Sequence, residues 1–170
     1  MTTVVLTFMA DDKPGLVNVL SKTVSEHEGN WLDSSLSRLG GKFTGIVVVQ
    51  LAEDRVSSLN AALGDLAQHG MHVYAEVSIQ GEDAVAYNEV LLDLVGHDKP
   101  GIVRDISAVL AKHQVNVTKL NTELVPGSMS SELLFKAQGK VLVPQDADLD
   151  QLQDALEEIA SDLLVDISFR

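Results

Sequence analysis

Cysteine is absent from this 170-residue sequence, and aromatic residues make up only 4% of it. Without cysteine the chain has no disulfide, no thiolate nucleophile and no cysteine-ligated zinc. No stretch approaches the roughly 18 apolar residues that a membrane-spanning helix needs. The first four residues, Met1-Thr2-Thr3-Val4, lack the basic segment and the apolar run of a signal peptide. We therefore expect a cytoplasmic protein that does not span a membrane.

Basic residues are also scarce. The chain has 12 Lys and Arg against 25 Asp and Glu, and its formal net charge is −13. Residues 1–85 hold 5 basic and 11 acidic side chains, and residues 86–170 hold 7 and 14. Proteins that bind nucleic acids neutralise phosphates with Lys and Arg. The charge of both halves therefore argues against direct binding of nucleic acid by this chain alone.

The two halves of the chain resemble each other. The hexapeptide Asp12-Lys13-Pro14-Gly15-Leu16-Val17 returns 86 residues later as Asp98-Lys99-Pro100-Gly101-Ile102-Val103. The same shift relates Val4, Leu6 and Phe8 to Val90, Leu92 and Leu94, and it relates Asn30 to Asn116. A repeat of this length is too long for a solenoid unit and is typical of a small domain. The sequence therefore predicts two copies of one module, with boundaries at 1–80 and 86–170 and a linker at 81–85.

Each copy has the same order of strand and helix patterns. An alternating apolar strand is followed by a helical pattern, then by two strands joined at a glycine turn, a second helical pattern and a last strand. This order predicts an α+β fold with two ferredoxin-like βαββαβ modules, each a four-stranded antiparallel sheet with two helices on one face. Val5 and Leu91 fall on the opposite sheet face, so we expect something to cover that face.

The loop after the first strand of each copy permits two interpretations. Free N–H groups at the start of a helix attract anions such as a carboxylate, and glycine allows a ligand to approach the backbone. Asp12 and Asp98 would then answer an ammonium group. In the structural interpretation, each Asp caps the helix and Pro-Gly forms a turn without any ligand. In both, Pro14 and Pro100 are expected in the first helical turn.

Strand, Asp-x-Pro-Gly-Leu/Ile-Val, amphipathic helix and a following strand that begins with Asn make each half similar to the ACT domain, a family of small regulatory modules that often bind amino acids. The resemblance covers both halves of the chain. It implies ligand-binding positions at Asp12, Gly15, Leu16, Asn30, Asp98, Gly101, Ile102 and Asn116. Because Asn18 corresponds to Arg104 and Trp31 to Val117, the two sites are not expected to be equivalent.

The tandem arrangement resembles ACT-domain transcriptional regulators that lack DNA-binding helices. It implies a repressor or co-regulator of glycine cleavage genes that contacts a separate transcription factor protein, with glycine or a related small amino acid tuning that contact. A homodimer is compatible with this interpretation. The alternative is a protein-interaction adaptor built from ACT-like modules that binds no ligand.

Other functional patterns are weak. The histidines have no HExxH motif or cysteine partners, so no metal site and no cofactor are expected. His27 and His113 are expected at helix C-termini, where a cation is favoured, and His97 either contacts a ligand or faces water. No serine lies in a nucleophile elbow, and no pair of carboxylates is placed for acid–base chemistry. An enzyme on this scaffold, such as an acyl-phosphate hydrolase, is therefore disfavoured.

Overall fold

The computed structural model describes residues 1–79, 81, 85–129 and 131–170. The chain divides into two compact units, Met1–Gly81 and Glu82–Arg170, and each has its own hydrophobic core. The predicted linker at 81–85 includes residues 82–84, which lie outside the described residues. Its bounds therefore stay a prediction.

The first unit has the predicted order of elements. Its strands and helices are β1 (Thr2–Asp11), α1 (Leu16–Glu26), β2 (Asn30–Leu39), β3 (Lys42–Leu51), α2 (Val56–Asp65) and β4 (Met71–Val77). Short 3-10 turns flank α2 at Glu53–Arg55 and Leu66–His69. The strands form an antiparallel sheet in the order β2-β3-β1-β4.

The second unit repeats this arrangement. Its elements are β5 (Tyr87–His97), α3 (Ile102–Lys112), β6 (Asn116–Pro126), β7 (Leu133–Pro144), α4 (Leu149–Leu163) and β8 (Val165–Phe169). The strand order β6-β7-β5-β8 corresponds strand by strand to that of the first unit. Two ferredoxin-like modules of α+β class were predicted, and the structure confirms them.

One face of each sheet packs against its two helices. In the first unit the core joins inward strand residues such as Leu6 and Val47 to Leu20 of α1 and Leu59 of α2, all of them fully buried. The alternation along β1 is the reason, because successive side chains of a strand point to opposite faces. Burial of this apolar face against both helices is the main stabilising contribution in each unit.

The opposite face of each sheet differs between the units. In the first unit it carries the half-exposed apolar side chains Met9 and Ile46 beside Tyr74. In the second unit the equivalent face is strongly charged, and its ion pairs include Lys140 with Glu89 and Arg170 with Asp93. The duplication therefore preserved the buried face of the sheet more closely than the open one.

Several element ends differ from the sequence-based bounds. Helix α1 begins at Leu16 and α3 at Ile102, so Pro14 and Pro100 lie in the turn before the helix and not in its first turn. Helix α4 continues to Leu163, and the left-handed residue Leu164 connects it to β8. Within the described part of the chain, no helix is both long enough and apolar enough to cross a membrane.

Candidate functional site

The first candidate loop joins β1 to α1. Strand β1 ends at Asp11, and Gly15 then adopts the left-handed conformation with φ of 91°. The carbonyl of Gly15 accepts the first bond of the helix from the N–H of Val19 at 3.0 Å. Only glycine adopts this φ without strain, so its position here is explained first by the backbone turn and not by the approach of a ligand.

The N-terminus of α1 is uncapped. No side chain accepts a hydrogen bond from its first turn, which also contains no acidic residue. Among the described residues, the N–H groups of Leu16, Val17 and Asn18 have no hydrogen-bond partner in the protein. Since the start of a helix carries a partial positive charge, these three donors form a place that favours an anion.

The structural interpretation of the sequence proposed that Asp12 caps this helix. In the structure Asp12 does not cap it. Its backbone N–H donates to the carbonyl of Gly41 at 2.9 Å, and its carboxylate lies 3.5 Å from the guanidinium of Arg38. The carboxylate is therefore held beside the β2–β3 turn at the edge of the loop. From there it can attract a ligand cation, while the helix start offers N–H groups to a ligand anion.

Hollows lie on two sides of this loop. One has a volume of about 480 Å³ and is lined by all residues from Lys13 to Val19 except Val17, together with Leu66, His69 and Met71. The other, of about 360 Å³, lies between Asp12, Asn18 and Phe43. Both are open to solvent and large enough for a small amino acid. The first loop therefore combines free donors with accessible space.

A second acidic residue adjoins this loop. The ammonium group of Lys42 donates to the carboxylate of Asp11, and this hydrogen bond, together with the positive charge, lowers the pKa of Asp11 below its ordinary value. Both side chains are well exposed, so the pair contributes little to stability. The pair keeps Asp11 ionised beside the loop. Lys13 is an exposed cation at the same corner.

The second loop has the same backbone and different surroundings. Gly101 also has a positive φ, 97°, and precedes the uncapped start of α3. Here, however, Arg104 folds back over the turn: its Nη2 lies 2.9 Å from the position that a Cβ on Gly101 would take. The Nε of Arg104 donates to Asp105 at 2.8 Å, which lowers the pKa of Asp105 and raises that of Arg104.

Two further surface contacts involve side chains of the second loop. The Nδ1 atom of His97 lies 3.1 Å from the carboxylate of Glu132, and the ammonium of Lys99 donates to the carbonyl of Asp162 at 3.4 Å. His97 thus faces Glu132 of its own unit. The sequence analysis expected His97 to contact either a ligand or water, and this contact was in neither interpretation. Both loops therefore have ion-paired side chains, and the clearest difference is the Arg104 side chain that lies over Gly101.

Two predicted site residues are core residues. Leu16 and Ile102 are 4% and 3% exposed, and each packs in the core of its own unit. Their side chains are therefore almost entirely covered by the protein, although Leu16 forms part of the lining of both hollows at the first loop. Their contribution to a site would come from the backbone N–H groups at the two helix starts.

The two asparagines lie far from the loops within their own units. Asn30 aligns with Gln50 and through it with Thr3, near the beginning of β1. Asp11 stands at the other end of that strand, eight residues away, which is about 26 Å at roughly 3.3 Å per residue. Asn116 occupies the equivalent place in the second unit. A single unit therefore does not bring its asparagine and its loop together.

The remaining candidate residues have structural surroundings. His27 and His113 are the C-terminal capping residues of α1 and α3, as predicted, and the Nδ1 atom of His27 lies 2.9 Å from the carbonyl of Thr23. Among the residues that the structure describes, no group of three or more His, Asp or Glu side chains is placed to hold a metal ion.

Arg38, Lys42 and Phe43 were not among the site residues predicted from the sequence, yet they contact or line the first loop. The predicted topology was enough to place these residues beside the first loop. In this fold β3 runs antiparallel to β1, so the start of β3 and the turn before it lie beside the end of β1. Charged residues around Gly40-Gly41 were therefore placed next to Asp11 and Asp12 by the fold itself.

Comparison with known proteins agrees with the duplication. The family model of the ACT domain matches residues 2–76 and again residues 88–170. The chain belongs to the ACT domain family. The tandem ACT arrangement expected from the repeated loop motif is confirmed.

Individual relatives of this tandem ACT protein are distant. The glycine cleavage system transcriptional repressor of Escherichia coli is 21% identical over 160 residues, which cover 94% of this chain and 84% of the repressor. A UPF0237 protein of Methanopyrus kandleri is 32% identical over 83 residues, or 49% of this chain and 91% of that protein.

Solved structures share the whole two-unit fold. A structure described as an unknown protein from Galdieria sulphuraria superposes with a TM-score of 0.83 at 26% identity, covering 99% of this chain and 97% of the other. A putative glycine cleavage system transcriptional repressor superposes with a TM-score of 0.71 at 20% identity, covering 99% and 96%. At that identity the second similarity concerns the fold alone.

Proposed function

We propose that this tandem ACT protein is a non-enzymatic regulator that binds a small amino acid such as glycine at the loop between β1 and α1. The observation that carries the proposal is the combination of three unpartnered N–H groups at the start of α1 with adjoining hollows of about 480 and 360 Å³. A zwitterion fits these surroundings, because its carboxylate is attracted by the helix start and its ammonium group by Asp12. ACT family membership and the distant similarity to a transcriptional repressor support a regulatory role.

The proposed site residues are Asp12, Gly15, Leu16 and Asn30 in the first unit and Asp98, Gly101, Ile102 and Asn116 in the second. Leu16 and Ile102 act through their backbone N–H groups. Asn30 and Asn116 act on a ligand held at a loop of a second chain in a homodimer. The first loop is the better binding site, because Arg104 and its partner Asp105 cover the second.

The regulatory output is contact with another protein, a transcription factor of glycine cleavage genes, in the cytoplasm. The formal charge of −13 disfavours direct contact with DNA. A ligand changes such a contact only if it binds one arrangement of the protein more tightly than another. Capture of partners from a lysate with and without glycine, followed by identification of the bound protein, tests this part of the proposal.

Calorimetry with the Asn18→Asp variant tests the ligand site. Asn18 is exposed in the first turn of α1, so an aspartate there places a negative charge among the free N–H groups. The substitution stabilises the helix by about 0.3–1 kcal/mol through the macrodipole while repelling a ligand carboxylate. We expect glycine and serine to release heat on binding to the wild type and to bind the variant several-fold more weakly.

The matched control is Ser57→Asp, which puts the same charge in the first turn of α2, away from the candidate loop. It is expected to leave glycine binding unchanged. If no amino acid produces heat or raises the melting temperature of the wild type, the amino-acid part of the proposal is wrong. The ligand-free adaptor is then the better interpretation.

A further inference from the structure

The second unit contains an apolar cavity between α3, β6 and the sheet, and the first two residues of α3, Ile102 and Val103, form one end of its lining. It encloses about 50 Å³ and opens to solvent on one side. Its lining includes Leu94, Ile106, Val117, Leu120, Phe135 and Gly139, and Ser107 is the one lining residue with a side-chain polar group. We refer to this space as the apolar slot. Empty apolar spaces inside proteins stay dry and bind small apolar molecules, because water finds no hydrogen-bond partners in them.

The first unit shows which side chains fill the equivalent space. Gly139 pairs with Leu92 as Val47 pairs with Leu6, and Leu92 corresponds to Leu6 in the repeat. Gly139 therefore occupies the position of the fully buried Val47. An isopropyl group present in the first core is missing from the second.

The mouth of the slot differs in the same way. Val117 pairs with Val141 as Trp31 pairs with Val49, so Val117 occupies the position of Trp31. Trp31 is partly buried and packs against the first core, whereas Val117 is 39% exposed. An indole that covers the edge of the first core has no counterpart in the second.

Compensation for these losses is incomplete. Leu120 replaces Ser34 at the next inward position of the edge strand, but Leu120 remains 48% exposed at the mouth. Deeper in the slot, Leu94 stands where the first unit has the larger Phe8. Protein cores are packed with few spaces larger than a water molecule, so the slot is a departure from the packing of its own duplicate.

We propose that the apolar slot binds a small uncharged ligand through an isopropyl-like aliphatic group. The group enters where Val47 lies in the first unit, and the rest of the ligand occupies the mouth that Trp31 covers there. A charged group is disfavoured, because the one polar side chain of the lining, Ser107, already donates to the carbonyl of Arg104 and compensates little for lost hydration. The slot shares Ile102 with the second candidate loop: the Ile102 side chain lines the slot, whereas the proposed amino-acid site uses the backbone N–H of that residue.

Methyl NMR of the full chain tests the slot with 2-methylpropan-1-ol as the uncharged probe and the isobutylammonium ion as its charged analogue. The alcohol is expected to shift the methyl signals of Ile106, Val117 and Leu120 saturably, whereas the ammonium ion leaves them unchanged. Xenon under pressure is expected to shift the same signals. Absence of a saturable shift with both alcohol and xenon, or equal shifts with the ammonium ion, overturns the proposal.

Val117→Trp restores the side chain of the first unit and is expected to weaken binding of the alcohol about tenfold or more, a loss of about 1.4 kcal/mol. The matched control is Asn121→Trp, on the opposite face of the same strand, which is expected to bind as the wild type does. If Val117→Trp does not fold, Leu94→Phe fills the slot from inside and serves the same purpose. Unchanged affinity in a folded slot-filling variant contradicts the proposal.

Discussion

Arg104 covers the backbone of Gly101: its Nη2 atom lies 2.9 Å from the place of a Cβ on that glycine. At the equivalent Gly15, a Cβ would meet no atom within 4 Å. The two loops have nearly the same φ, and both precede an uncapped helix. The crowding over Gly101 therefore comes from one side chain, since the first unit has Asn18 where the second has Arg104.

Removal of that side chain is expected to open the second loop. Arg104→Asn gives the second unit the residue of the first, so glycine should bind at both loops and the number of molecules bound per chain should double in calorimetry. Arg55→Asn is the matched control, because it also removes an exposed, ion-paired arginine, here bonded to Glu28 at 2.9 Å. An unchanged stoichiometry in Arg104→Asn means that the guanidinium does not block the loop.

The titration of Asp105 reports the Arg104 contact directly. The hydrogen bond from Arg104 lowers the pKa of Asp105, so in Arg104→Asn this pKa should rise towards the ordinary value of about 3.9. Because the folded pKa is depressed, the stabilising contribution is present above the unfolded pKa and is lost as the pH falls through the folded pKa. Carboxyl ¹³C NMR over the pH range between the folded and the unfolded pKa measures the titration of Asp105. Asp11, which is paired with Lys42, should titrate identically in both proteins.

We expect the left-handed backbone conformation at position 15 to require glycine. Gly15→Ala has open space for its Cβ, so its cost is the left-handed φ alone, about 1–2 kcal/mol of unfolding free energy. Gly64→Ala is the control: Gly64 lies in α2 at an ordinary φ with equally open space, and alanine there should stabilise by about 0.5–1 kcal/mol. Urea denaturation measures both. Equal effects of the two substitutions would contradict the backbone explanation.

The sequence was sufficient for the architecture, because the duplication and the strand and helix periods are local patterns that each half repeats. It was not sufficient for the loop. Asp12 before Pro-Gly is a good capping residue in a short segment, but the β2–β3 turn brings Arg38 to its carboxylate and Gly41 to its N–H. Contacts between residues about 30 positions apart depend on sheet register, which the local pattern leaves open.

The apolar slot shows the same limit. The repeat alignment pairs Trp31 with Val117, and this difference was visible in the sequence. The second difference, Val47 against Gly139, falls beyond a change in hairpin length, so the 86-residue shift does not reveal it. The strand register does, because each residue pairs with the equivalent position of the first strand. Side chains that jointly fill one space were therefore recognised only once the sheets were aligned.

Trp31 is expected to stabilise the first unit by covering its core. Trp31→Val reproduces the mouth of the apolar slot, and because Trp31 is only partly buried we expect a loss of about 2 kcal/mol, below the roughly 3–5 kcal/mol typical of large aromatic residues truncated in a core. Tyr74→Val is the matched control, since Tyr74 is 70% exposed on the opposite face of the same sheet and should cost much less. Urea unfolding followed by far-UV circular dichroism compares them, as Trp31 is the only tryptophan and its fluorescence is lost in the variant. If the two variants lose the same stability, Trp31 does not seal the core, and its absence from the second unit does not explain the slot.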